Sequence, residues 1–239
     1  MRPLPALRLD GGRTGCYCPP LMDVNQILDG LTWWVGLVAL LTFHEFGHAW
    51  MAMKCGDDTA KSQGRVSLNP LVHIDVIGTV IIPLAMIFLT MSGSGLGRFL
   101  IGWAKPVPVN PYNLRNPKVD DILVTLAGPW MNVLLAIVLM GLARLGLLAN
   151  AEGPVLFCLQ MAHLSLLLCF FNLIPIPPLD GSQVMRAVTG MSYETYARLA
   201  QWGFLILIVV LQVPQVRWML ATVTGATFVL LARLFGIPV

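Results

Sequence analysis

Charge is what this sequence has least of. Asp, Glu, Lys and Arg make up 11% of its 239 residues, where a soluble domain carries about 25%, so the chain lacks the polar surface that keeps a globule in water. The same scarcity excludes an open coil, because a chain that is 56% hydrophobic cannot stay solvated when unfolded. Basic residues number 15 against 12 acidic ones, a net charge of +3, and they are dispersed. That excludes the clustered basic face of a nucleic-acid binder. Cysteine is sparse and odd in number, and Cys16, Cys18, Cys55, Cys158 and Cys169 do not make a disulfide framework. The single residue between Cys16 and Cys18 falls short of the roughly two-to-four-residue spacing of zinc ligands. The first 26 residues lack the apolar core of a secretory signal. With Arg2, Arg8, Arg13 and four prolines, residues 1–26 read as a disordered polar leader before a membrane domain at 27–239. The one glycine-rich stretch, residues 92–97, follows an apolar run rather than a strand, so it is a loop and not a phosphate cradle.

What the chain has instead is long apolar runs, with a mean hydropathy of +0.75. The first, at about 27–53, would make a helix of about 40 Å, enough to cross about 30 Å of hydrocarbon. Further runs lie at about 76–92, 122–148, 155–171, 198–213 and 216–235, separated by loops rich in Asp, Lys, Gly and Pro. The expectation is an all-α, polytopic membrane protein with about six transmembrane helices. The 76–92 run is the shortest and holds Pro83, so a re-entrant segment is the alternative there. Arg2, Arg8, Arg13, Arg98, Lys105, Arg115 and Lys118 fall on one side of this topology and Lys54, Lys61, Arg65 and Arg217 on the other. The positive-inside rule then places both termini in the cytoplasm. Trp33, Trp34, Trp103 and Trp202 suit anchoring at the membrane interface.

Inside the first run stand His44, Glu45 and His48. Two imidazoles at i and i+4 project from one face of a helix, one turn apart, and can grip a single zinc ion. Glu45 beside them can take a proton from a water that the metal acidifies. An ionisable residue at bilayer depth costs several kcal/mol unless paired or functional, and here are three within five residues. A catalytic zinc takes three protein ligands, and the candidates for the third are Asp57, Asp58, His73, Asp75, Asp120, Asp121, Glu152, His163 and Asp180. Asp180 differs from the rest because it closes the segment 172–180, where Pro175, Pro177 and Pro178 stop an apolar helix. Broken backbone at membrane depth is tolerated only when buried in protein or lining a watered cavity. The alternative for Asp180 is an interfacial turn in which it caps the following helix. His73 and Asp75 either hydrogen-bond a ligand imidazole or anchor the start of the second apolar run, and His163, with Ser165 nearby, fits an interhelical hydrogen bond.

The sequence His44-Glu45-Phe46-Gly47-His48, followed by Asn172-x-x-Pro175-x-x-x-x-Asp180-Gly181, resembles the site-2 protease family of intramembrane zinc metalloproteases. The stretches 64–75 and 102–111 and the segment Leu126-Ala127-Gly128-Pro129-x-x-Asn132 are similar to that family's compact bacterial branch, so the resemblance spans about residues 35–190. It implies His44, His48 and Asp180 as ligands of one zinc ion, Glu45 as catalytic base and Asn172 near the scissile bond. It also implies a membrane-spanning protein as substrate, the lipid bilayer as surroundings and a multi-pass location in the cell membrane, with homo-oligomerisation left open. No loop exceeds about 30 residues, so an inserted PDZ-like domain is not expected; nor is a nucleotide-sensing module after the last span, and substrate selection would rest on the membrane core or a partner. The segment 173–179 is expected to be extended and able to pair with an unwound substrate by strand addition. From another class, a metal transporter or sensor could use the same three ligands without hydrolysis, and Glu45 separates the two because transport needs no base beside a ligand.

Overall fold

The computed structural model describes residues 24–91 and 102–238, so the Cys16–Cys18 pair, the glycine-rich stretch and residues 1–23 of the expected leader lie outside it. Helix α1 (Val24–Lys54) begins three residues inside that leader. After it come a short α2 (Thr59–Ser62), a π-helical turn (Val76–Ile81) continuing into α3 (Ile82–Met91), and α4 (Pro117–Leu148). The chain ends with α5 (Glu152–Asn172), α6 (Asp180–Thr189), α7 (Tyr193–Gln212) and α8 (Pro214–Leu234). Prolines at the first turns of α4 and α8 start helices where the missing N–H costs nothing. Ser192 caps α7 by accepting from Thr195 N at 3.2 Å.

Among the described residues, five helices are long and apolar enough to cross a membrane: α1 from Ile27, α4, α5, α7 and α8. The sixth expected span is helical but shorter, an apolar run over Val76–Leu89. Pro83 has no N–H to offer the Thr79 carbonyl four residues back, and the Trp34 indole donates to that carbonyl at 2.7 Å. Trp34 is thus bonded inside the protein, whereas Trp103, whose ring meets Phe204 edge-on at 6.2 Å, and Trp202 are both exposed.

The centre is built on α4. Ala136, Met140 and Ala143 of α4 meet Val155, Ala162 and Leu166 of α5 and Ala232 of α8 in one buried cluster. Small residues dominate because lipid-embedded helices associate through close van der Waals approach. α1 packs on another face of α4, and the outward faces of the long helices carry Leu134, Val138, Leu145, Leu205, Val209 and Leu230, all exposed. An apolar exterior along these stretches belongs in lipid.

Between α1 and α4 a loop layer is tied together by buried polar side chains. The Arg65 guanidinium donates to the carbonyls of Val72, Lys105 and Pro106. Asp57, buried, accepts from Asn110 N at 2.7 Å, Asn113 Nδ2 at 3.0 Å and Thr59 N at 3.0 Å. Burial pushes the Asp57 carboxyl up, but the hydrogen bonds from Thr59, Asn110 and Asn113 outweigh it and hold the group below the usual carboxylate range. Its stabilisation is therefore complete above the unfolded value of about 3.9 and is lost as pH falls through the lower folded value. Asp57→Ala is expected to destabilise the protein by about 1–3 kcal/mol for each buried donor left without an acceptor. The melting-temperature gap between wild type and Asp57→Asn should be full at pH 6 and close below about pH 4. An equal gap at pH 6 and pH 3 would contradict this role.

Candidate metal centre

His44 and His48 lie one turn apart on α1 and are both buried, their rings in an edge contact with centroids 4.7 Å apart. Asp180 comes to them from the far end of the sequence. Its Oδ2 is 3.2 Å from His44 Nε2 and 3.5 Å from His48 Nε2, and the two Nε2 atoms are 3.1 Å apart. Among the described residues, these three form a group whose donor atoms could hold a metal ion. Of the nine candidates for the third ligand, Asp180 is the one brought to the histidines.

The histidines are oriented by α4. His48 Nδ1 donates to the Val124 carbonyl at 2.8 Å, which in the neutral ring leaves the lone pair on Nε2. Asn132, fully buried, places its amide Nδ2 3.2 Å from His44 Nδ1. Rotating that amide by 180° brings its oxygen to the ring, where it accepts Nδ1–H and leaves Nε2 free to ligate. The Ser165 hydroxyl fixes this part of α4 by donating to the Asn132 carbonyl at 2.8 Å. The interhelical bond expected near His163 thus belongs to Ser165, and His163 stands exposed against the Phe228 ring at 5.4 Å.

Zinc fits these residues on three observations. Two ligands each about 2.0–2.2 Å from one tetrahedral ion lie about 3.3–3.6 Å apart, close to the three separations seen. Asp180 Oδ2 is buried without a hydrogen-bond donor, a costly arrangement for a carboxylate oxygen unless a cation sits beside it. Gly128 of α4 backs the imidazoles so closely that a Cβ there would stand 2.2 Å from His48 Nε2.

Glu45, one residue beyond His44, lies outside the triad, and its Oε2 accepts from Val107 N at 3.1 Å. The loop layer, anchored by Asp57 and Arg65, therefore sets the position of this carboxylate. Asn172 donates its amide to the Leu168 carbonyl at 3.0 Å. The segment after it is not extended as expected but runs through successive turns, with Ile174 N bonded to Phe171 O, Ile176 N to Ile174 O and Leu179 N to Ile176 O. Prolines fix the dihedrals of such turns and deny a strand its donors. Close packing forces this path, for a Cβ at Gly181 would meet Leu173 O at 2.2 Å. Asp180 does open α6, but it caps nothing: Leu179 occupies the cap and the carboxylate faces the imidazoles. His73 donates to Ser67 O at 2.8 Å, and Asp75 accepts from Ile77 N and Gly78 N at 3.1 and 2.7 Å. These two anchor the turn before α3 and do not reach the ligand imidazoles.

The model of peptidase family M50, the site-2 protease family, matches residues 32–148 and 146–212. The chain belongs to this family. It is 35% identical over 188 residues to the Bacillus subtilis (strain 168) protein "Putative zinc metalloprotease YwhC", covering 75% of this chain and 80% of that protein. Rip2 of Mycolicibacterium smegmatis, which carries the same designation, is 33% identical over 190 residues, 77% of this chain and 68% of its own length. A zinc metalloprotease of Methanocaldococcus jannaschii, MJ0392, is 32% identical over 77 residues, 32% of this chain and 22% of that protein. No solved structure matches. Membership in family M50 makes this multi-pass helical protein a zinc metalloprotease, and the matched range contains both histidines, Glu45 and Asp180.

Proposed function

We propose that the protein hydrolyses a peptide bond within or near the membrane-spanning segment of a membrane-protein substrate in the cell membrane. The observation that carries this reading is the meeting of His44, His48 and Asp180 at a buried point between apolar helices, with Glu45 on the next helical position. In this reading the two Nε2 atoms and Asp180 Oδ2 would hold one zinc ion, which would supply Lewis acidity toward a water molecule and the scissile carbonyl. Glu45 takes the proton from that water and later delivers it to the leaving amine. Val107 N–H holds the Glu45 carboxylate, which stands outside the ligand group and is left to act as a base. Asn172 leaves the Leu168 carbonyl when substrate enters and turns its amide to the developing oxyanion, a contact worth about 2.7–4 kcal/mol. The substrate helix must be unwound first, because its carbonyls are held in its own hydrogen bonds.

Hydrolysis consumes water, so this function requires an aqueous path to the centre lined by the turns of 173–179. In a background without the five native cysteines, Pro175→Cys and Pro178→Cys, at exposed positions, are expected to react with a membrane-impermeant thiol reagent from one face. Protection of both from the reagent on either face would contradict the path.

A further inference from the structure

The third ligand is supported differently from the first two. His44 and His48 ride on a 31-residue helix, whereas Asp180 opens a helix of 10 residues, below the roughly 12–15 at which an isolated helix becomes even marginal in water. Leu179 at its N-cap gives no side-chain bond, and the Asp180 carboxylate is turned away to the imidazoles. What fixes α6 is a network at its other end. Arg186 forms an ion pair with Asp121 of α4, their side chains 6% and 9% exposed. The same guanidinium lies on the Tyr193 ring at 3.9 Å, with the Tyr196 ring at 5.9 Å. The Tyr196 hydroxyl meets Ser182 Oγ at 3.0 Å, and Ser182 Oγ donates to the carbonyl of Leu179, the residue before Asp180, at 2.6 Å.

The placement of Asp121 on α4 ties this network to the rest of the centre. Asp121, Val124, Gly128 and Asn132 are spaced i, i+3, i+7 and i+11, one stripe of the helix. Val124 orients His48, Gly128 backs both imidazoles, Asn132 meets His44, and Asp121 grips the helix that carries Asp180. We infer that Asp121 and Arg186 are positioning residues for the metal centre, holding α6 so that the Asp180 carboxylate meets the histidines. This rests on the ligand set proposed above. A buried ion pair is poor support for stability in itself, since two charges must be desolvated to make it. Its cost at the end of a transmembrane helix is the mark of a functional placement.

The test is the zinc affinity of purified full-length variants, measured by competition with a chelator, beside their melting temperatures. Asp121→Asn and Arg186→Gln are expected to weaken zinc binding about 10-fold or more, the range seen when the support of a metal ligand is removed, and excess zinc should restore turnover by mass action. Arg186→Lys keeps a cation opposite Asp121 but loses the stack on Tyr193, and should fall between these and wild type. It carries the same comparison should Asp121→Asn fail to accumulate. Met140→Ala, a cavity in the fully buried core, should lower the melting temperature without moving zinc affinity. The inference is overturned if the Asp121 and Arg186 variants melt early like Met140→Ala yet bind zinc within twofold of wild type. His48→Ala separates the two levels. Zinc affinity unchanged in His48→Ala would remove the ligand set itself, whereas loss there with wild-type affinity in Asp121→Asn and Arg186→Lys would overturn the positioning role alone.

Discussion

Replacing Glu45 with glutamine is expected to leave zinc content at the wild-type level while cutting turnover at least about 100-fold, the lower end of general-base contributions. Glu45 is set about 100° round α1 from His44, and its carboxylate is bonded to Val107 N–H rather than gathered with the donor atoms of the triad. Glutamine keeps the shape and an oxygen that can still accept from Val107, so the loop layer should hold its place; only the basic lone pairs are lost. The measurement is metal analysis of the purified variant together with cleavage of a transmembrane reporter. Retained cleavage would remove Glu45 from proton transfer. Lost zinc would make Glu45 a ligand or a support of the centre, and the base would lie elsewhere. A protein that merely transported or sensed the metal would survive this change with its function intact.

The second large effect is expected at a residue with no functional group. Gly128→Ala should abolish metal retention, lowering zinc affinity by at least about 100-fold, the upper end of what loss of outer support costs, and turnover with it. The added Cβ would fall 2.2 Å from His48 Nε2, 2.6 Å from its Cε1 and 2.8 Å from His44 Cε1. α1 and α4 already touch closely here, since a Cβ at Gly47 would stand 2.7 Å from the Ala127 carbonyl, and His48 is bonded across the same contact to the Val124 carbonyl, which resists their parting. The imidazoles must therefore swing, and the Nε2 atoms lose their common point. Metal analysis beside a thermal melt distinguishes this from unfolding: the variant should melt as a folded protein but without zinc. Wild-type zinc affinity in Gly128→Ala would show that the histidines have room that this packing denies them.

Much of this centre can be read in the sequence because its chemistry is written in side chains at fixed spacing. The i, i+4 histidines inside an apolar run need only a helix to converge, and the run is long enough to demand one. Asp180 is harder to single out, since nine residues could have supplied the third ligand, and the three prolines before it are the local signal that sets it apart. The supports were not legible. Val107 N–H and the Val124 carbonyl are backbone groups, which any residue carries and no motif reveals. Asn132 and Gly128 sit in a segment marked by its resemblance to the family, but their roles emerge only when α1 is laid against α4. Asp121 is a plausible ligand by type; that it serves a cation on α6 instead depends on contacts 65 residues apart. The fold shows the same division. Length and apolarity identify five long helices, whereas at the start of the 76–92 run the missing N–H of Pro83 leaves the Thr79 carbonyl to a tryptophan 45 residues earlier, a pairing that composition does not reveal. The turns of 173–179 follow from proline chemistry that the expectation of an extended strand underweighted.

The central claim, that this buried triad and its neighbouring carboxylate cut a peptide bond at membrane depth, is tested most directly by mapping products. The purified protein would be incubated in liposomes with a single-span reporter and the fragments identified by mass spectrometry. The account predicts two fragments whose new ends lie within or beside the membrane-spanning segment, formed by wild type and not by Asp180→Ala. An intact reporter with fully zinc-loaded wild-type protein, or the same fragments from Asp180→Ala, would contradict it.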